Sequence, residues 1–391
     1  MKRTRQPRPS RTTPDLDALL KEARALGLSS SRLEDAHWEK RLAAQIDRLL
    51  QAGEDDTLNA ALDHLFQSED RGYETLADLL ESRTESHTTS APHSDDLLLI
   101  AIPILAWSRF SIPSGQISAP LLDNLRTQLQ AHVLAANVRL GLADVLFSPD
   151  QLPPGFSATA RFTGQLGRQA QLGKNLHVDA GQLPEAINFL SDTRYVLAVA
   201  AVHHGAPIFR WQEENGDREE ALLLWKQQGG EVLRPLFTGC AQEAQPPLAF
   251  FSACREADRA ARPYALKASV DFLKTTLSID SDALQVTIAP FHDERRLTEY
   301  RIGFSLEDAS KIIHGVVWPL LDSEDENTET QNQINTILQE AGLTRIHLLD
   351  HVFPAEYCED CGTPLYPTPE GDPVHAEMPE QEDTGTSRSL H

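Results

Sequence analysis

The segment Tyr357-Cys358-Glu-Asp-Cys361-Gly362-Thr-Pro-Leu365 holds the residue types best suited to chemistry. Two cysteines separated by two residues can turn both thiolates toward one ion, and the glycine lets the backbone wrap around the sulfurs. Pro369-Glu-Gly-Asp372 reads as a turn that would carry His375 back to the same point. The resulting Cys-x2-Cys-x13-His spacing falls within the range of small zinc sites. It predicts one zinc ion held by Cys358, Cys361 and His375, with His351, His347, Glu377 or a water as the fourth ligand. A thioredoxin-type redox pair opens a helix, whereas Pro364 and Pro367 follow here. The plain alternative is two free thiols near a chain terminus.

Three further positions are candidates for a ligand or anion site. His203-His204 ends the apolar run Tyr195–Val202 just before Gly205, and strand ends in α/β proteins often carry functional groups. Neighbouring strand residues point to opposite faces, so both histidines are not expected to bind one ion, and a structural or solvated role is the plainer reading. Arg109, in the turn after the run Leu97–Trp107, could hold an anion. Cys254 sits among Phe250, Phe251 and Ala253, which reads as core packing. There is no Gly-x-Gly-x-x-Gly or Walker loop and no Gly-x-Ser-x-Gly elbow, so nucleotide-binding and triad-hydrolase readings lack their usual markers.

The elements that must position these residues are read from periodicity and caps. Residues 1–13 form a basic arm, and residues 14–84 a helical region. Thr13-Pro14 caps the first helix and Gly27 ends it; Ser31 with Glu34 opens a second that stops at Gly53. Two shorter helices follow, and the polar stretch 84–94 reads as a linker. Residues 95–190 read as a first α/β unit, with a strand at Leu97–Leu105 and a helix at Pro120–Leu140. Residues 191–350 read as a second, with strands at Tyr195–Val202 and Leu233–Phe237 and a helix from about Ala249 to Leu277, interrupted near Pro263. Each unit runs strand, tryptophan (Trp107, Trp211), helix, Leu-Phe and Pro-Pro, which points either to a duplication or to coincidence between common elements. Alternation at Leu284-Val286-Ile288 and Tyr300-Ile302-Phe304 predicts two half-buried strands, and the continuously apolar Lys311–Trp318 a central third. Residues 351–378 form the zinc knuckle and 379–391 an acidic tail. The expected fold class is α+β, with a mostly antiparallel C-terminal sheet.

Composition sets outer limits. Thirty-five basic against fifty-eight acidic residues leave −23, and Lys2, Arg3, Arg5, Arg8 and Arg11 precede the first acid. Such an acidic body repels nucleic acid and anionic membranes, leaving only the basic arm 1–13 for nucleic acid. The longest apolar run, Leu97–Trp107, holds eleven residues against the ~20 of a membrane span. Four cysteines in 391 residues do not make a disulfide scaffold, which points to a reducing cytoplasm.

The segments Ile102–Gly115, Leu129–Ala136, Phe209–Gln212, Ala253–Arg259, His314–Leu321, and Glu356-Tyr-Cys-Glu-Asp-Cys-Gly362 with His375-Ala-Glu377 share no motif with large enzyme families. Together they resemble a bacterial family, typical of betaproteobacteria, filed as a domain of unknown function. The resemblance spans the chain from its basic N-terminus to His375. It implies a cytoplasmic bacterial protein and assigns no catalytic residue. The functional expectation is a soluble binding or regulatory protein whose structural zinc knuckle stabilises the C-terminal end or docks a protein partner. The alternatives are an enzyme with a cleft between the two α/β units near Arg109 and His203 or His204, or a zinc enzyme using Cys358, Cys361 and His375. Oligomeric state is left open.

Overall fold

The computed structural model describes residues 13–379, apart from 69, 90–93, 188, 294–295, 307–310, 322–323, 325–327 and 360. The basic arm and the acidic tail therefore lie outside the described residues, except Thr13 and Pro379 at their edges. Thr13 caps α1 (Pro14–Gly27) by accepting the Leu16 N–H. Ser31 caps α2 (Arg32–Ala52) through the Glu34 N–H, and Gly53 ends it at φ 77°. Helices α3 (Asp55–Gln67) and α4 (Gly72–Glu85) complete a four-helix layer around Leu19, Leu42, Ile46, Leu58, Leu65 and Leu76, each fully buried.

The polar stretch after α4 is not only a linker. Ser86–Thr88 forms β1, antiparallel to the start of β2 (Asp95–Trp107), with Thr88 Oγ1 donating to Asp96. Polar side chains hide a strand that is held mainly through its backbone. β2 pairs antiparallel with β6 (Ser191–His203) along all thirteen residues, from Asp95↔His203 to Trp107↔Ser191. Between them in sequence come β3 (Gly115–Gln116), α5 (Ala119–His132), β4 (Arg139–Leu142), β5 (Val145–Leu146) and α6 (Gly155–Gln171). The helix expected over Pro120–Leu140 thus stops early, and its last residues join a strand. After β6 come α7 (Arg218–Leu224), a π turn at Trp225–Gly229 and a 3-10 helix at Gly230–Phe237. The expected strand at Leu233–Phe237 is therefore helical. Leu233 and Phe237 are buried while Pro235 between them is exposed, whereas a strand would turn all three to one face. The strands of this unit are instead β7 (Ala241–Ala244) and β8 (Leu248–Ala249), which lead into α8 (Phe250–Leu277).

The two units interleave in one sheet. β4 of the first pairs with β6 of the second, and β7 and β8 of the second pair with β2 of the first. Even residues of β2 (Ile100, Ile102, Ile104) pack with α5 and the Trp225–Phe237 segment, and odd ones (Leu97, Leu99, Ala101) with α6 and α8. Burial on both faces explains the unbroken apolar run. Pro103 is tolerated here because Tyr195, opposite it, exchanges both backbone hydrogen bonds with Phe147 instead. Pro103 therefore faces the other edge, where its carbonyl accepts from Gln245 and the neighbouring strand breaks at Pro246-Pro247.

α8 runs unbroken through Pro263. Losing one helical hydrogen bond there costs about 3 kcal/mol, but both halves are anchored. Phe250, Ala253 and Ala257 pack on the first sheet, and Leu266, Val270 and Leu273 on a second. That second sheet is β9 (Leu284–Asp293), β10 (Arg296–Leu306), β11 (Ile312–Pro319) and, after α9 (Thr330–Glu340), β12 (Arg345–Leu348). Its order is β11-β10-β9-β12, with β12 parallel to β9 and the other pairs antiparallel. β11 is thus an edge strand, not the expected central one. It reads as continuously apolar because both its faces are covered, one by α8 and the other by the C-terminal residues.

Candidate metal centre

After β12 the chain lays β13 (Phe353–Pro354) parallel to β9, with Phe353 stacked on Phe291 at 5.1 Å. It then crosses the sheet as two small hairpins. In the first, Cys358 N–H donates to Thr363 O (2.8 Å), Gly362 N–H donates to Cys358 O (2.8 Å), and Leu365 N–H closes the base onto Glu356 O. Gly362 sits at φ 72°, a conformation that favours glycine at the bend after the second cysteine. In the second, β14 (Tyr366–Pro367) pairs with β15 (Pro373–Val374) around a turn in which Thr368 N–H donates to Asp372 O. Val374 lies opposite Tyr366, so His375 emerges beside the first hairpin.

The donor atoms of Cys358, Cys361 and His375 all lie within 4.8 Å of one another. Cys361 Sγ is 3.3 Å from His375 Nε2 and 3.0 Å from Thr363 Oγ1. Hydrogen bonding from the Thr363 hydroxyl and backbone, helped by Cys358 and His375, draws the Cys361 thiol down to about 7. Two sulfurs and one imidazole converging on a point can hold a metal ion. Among the described residues the group has three members. His351 does not join it, because its ring stacks on Phe353 (4.9 Å) and its Nε2 lies against Gly371, where a Cβ would approach to 2.8 Å. Glu377 pairs with Lys311 at 2.7 Å. His347 lies on β12 opposite Thr287, also outside the group.

A buried cation that sequence reasoning missed fixes the hairpins to the sheet. The Arg301 side chain, on β10, is completely buried; Nε bonds Glu299 (2.6 Å), and Nη1 donates to Glu356 O (2.6 Å) and Leu365 O (2.8 Å). Its guanidinium lies 4.3 Å from the Phe291 ring centre and 5.0 Å from that of Tyr357. Gly303 and Gly315, opposite each other on β10 and β11, make room for the second hairpin. A Cβ on Gly303 would stand 2.6 Å from Pro367 O, and one on Gly315 would overlap the Tyr366 ring. The signals that could have revealed this were the Glu299-x-Arg301 pair, which shares one strand face, and a glycine in each of two paired strands.

The other candidates do not come together. Arg109, exposed, follows the end of β2, while His203 pairs with Asp95 at its start, a separation of roughly 40 Å at ~3.3 Å per residue. Arg109 and the two histidines thus stand at opposite ends of the sheet and do not come together in one site. His203 Nδ1 lies 3.3 Å from Asp95, which also binds Arg139 (2.7 Å) and Gln171 (2.8 Å). His204 Nδ1 binds Asp96 (2.8 Å), which also accepts from Gly205 N–H and Thr88. Each histidine partners a different carboxylate at the sheet end. Cys254 packs beside the core, and burial pushes its thiol up to about 12.

No helix among the described residues is long and apolar enough to cross a membrane. No curated protein and no solved structure matches the chain. A family described as protein of unknown function (DUF2863) does match, over residues 4–389, and the chain belongs to that family.

Proposed function

We propose that this chain is a zinc-binding protein of a binding or regulatory kind, in which one zinc ion fastens to each other the two C-terminal hairpins that cover the second sheet. The observation that carries this reading is the convergence of Cys358, Cys361 and His375 on hairpins already anchored by Arg301. Two thiolates and an imidazole suit zinc better than hard cations such as magnesium or calcium, which prefer oxygen ligands. The donors sit on short loops with little apolar surface of their own, where a metal supplies order that burial does not. The low cysteine count, four in 391 residues, supports a reducing, cytoplasmic setting.

A second reading has one observation in its favour. Three donors at an exposed position leave room for a fourth ligand from solvent, the arrangement of a catalytic zinc. Cobalt substitution separates the readings. Titrating the reduced full chain with Co2+ is expected to give sulfur-to-cobalt charge-transfer bands saturating at one equivalent and abolished by stoichiometric Zn2+. Bands that shift on adding cyanide would favour the open, catalytic site. Absence of charge-transfer bands would overturn both.

A further inference from the structure

The same group of side chains carries a second property. Cys358 and Cys361 stand on one tight loop with their sulfurs within the 4.8 Å span of the group, so an S–S bond needs only a local shift. Cys361 is exposed, which opens its sulfur to a small oxidant in water, while Cys358 is half-buried behind it. Thr363 Oγ1 and His375 Nε2 both lie within hydrogen-bond reach of Cys361 Sγ and can steady charge on it. Elsewhere, Cys254 is too buried to react readily, and Cys240 Sγ is turned to the Ser111 carbonyl.

We propose that Cys358 and Cys361 form a peroxide-sensitive latch: their oxidation to a disulfide discharges the metal and unfastens the two C-terminal hairpins from each other. This rests on the zinc reading above. The Cys361 thiolate attacks one oxygen of a hydroperoxide, the O–O bond breaks, and water or an alcohol leaves with one proton, giving a sulfenic acid. The Cys358 thiolate then attacks that sulfur, forming the S–S bond and expelling hydroxide. Two electrons pass from the two sulfurs to the peroxide. A disulfide offers no thiolate, so His375 is left as the sole strong donor. The hairpins then keep Arg301, the Glu377–Lys311 pair and the Glu377 N–H to Ile312 O bond, but lose the metal that ties the two hairpins together. A thiol reductant reverses the step.

The test uses the zinc-loaded full chain and hydrogen peroxide, with released zinc followed by a chromophoric chelator. Peptide mapping by mass spectrometry follows the sulfurs, and limited proteolysis the residues after about 350. The expected result is stoichiometric zinc release in step with a Cys358–Cys361 disulfide, new cleavage in the hairpins, and recovery on adding dithiothreitol and zinc. Cys358→Ser, lacking the resolving thiol, should instead accumulate oxygen adducts on Cys361. Zinc that stays bound while peroxide is consumed, or release accompanied only by sulfinic acid, would overturn the latch and leave the zinc reading intact. A reduced protein that takes up no zinc before peroxide is added would overturn both.

Discussion

The two sheets differ in how their faces are covered. The first has helices on both sides, α5 with the Trp225–Phe237 segment on one and α6 with α8 on the other, and its two long strands pair end to end. The second has α8 and α9 on one face only, and its other face is closed by hairpins of two-residue strands. A helical layer stabilises through apolar area, at ~25 cal/mol per Å2 buried. Hairpins that short bury little, so the second sheet relies on polar fastening and, in our account, a metal.

Both sheets also use one device. Arg194 and Arg301 are each fully buried and each paired with a carboxylate two residues earlier, Asp192 and Glu299. Each ties down a loop through carbonyls: Ile112 and Pro113 for Arg194, Glu356 and Leu365 for Arg301. The loop held by Arg194 belongs to an already enclosed sheet, whereas Arg301 holds the cover itself.

That contrast predicts the largest effects at the arginines. Arg194→Leu and Arg301→Leu each strand a carboxylate in a poorly solvated place and should cost about 3–5 kcal/mol. Urea unfolding should register the first as global destabilisation. Arg301→Leu should first loosen residues after about 350, visible as proteolytic nicking with the first sheet still folded. Equal global losses from both would erase the distinction between the sheets.

Gly315→Leu should come next. Its side chain would displace the Tyr366 ring, at ~1–3 kcal/mol, and raise the dissociation constant for zinc, whereas the same change at Gly53, where a Cβ meets open space but φ is 77°, should leave zinc affinity untouched. Zinc titration of the two variants checks this.

A smaller effect is expected at the first sheet. Glu85, at the end of α4, accepts the Phe251 N–H at the start of α8, and burial raises its carboxyl to about 7. The folded state therefore holds its proton more tightly than the unfolded state does. The contribution is fully present below pH ~4.5 and is lost as pH rises to about 7, a fall on the order of 2 kcal/mol. Glu85→Gln should flatten stability over that window, measured by urea unfolding at several pH values; an unchanged slope would remove Glu85 from the account.

Much of this architecture was legible in the sequence. Caps at Thr13, Ser31 and Gly53 act locally, so local reading found α1 and α2. The clustering of Cys358, Cys361 and His375 was legible because ligand spacing and turn residues are also local. What escaped was decided by tertiary contact. β1 is polar because its backbone does the pairing. Lys311–Trp318 looked central because hairpins 50 residues later cover it. Pro263 looked like a break because local sequence does not show that the two halves of α8 pack on two different sheets. The Glu299-x-Arg301 pair looked like surface charge, as such pairs usually are, until the hairpins folded over it.

The most direct test of the clasp is amide hydrogen exchange on the zinc-loaded chain before and after chelation. The account predicts faster exchange at residues 353–377 and along β11 after zinc removal, with β2 and β6 unchanged. Identical exchange in the two states would contradict it, as would a loss of protection spread evenly over both sheets.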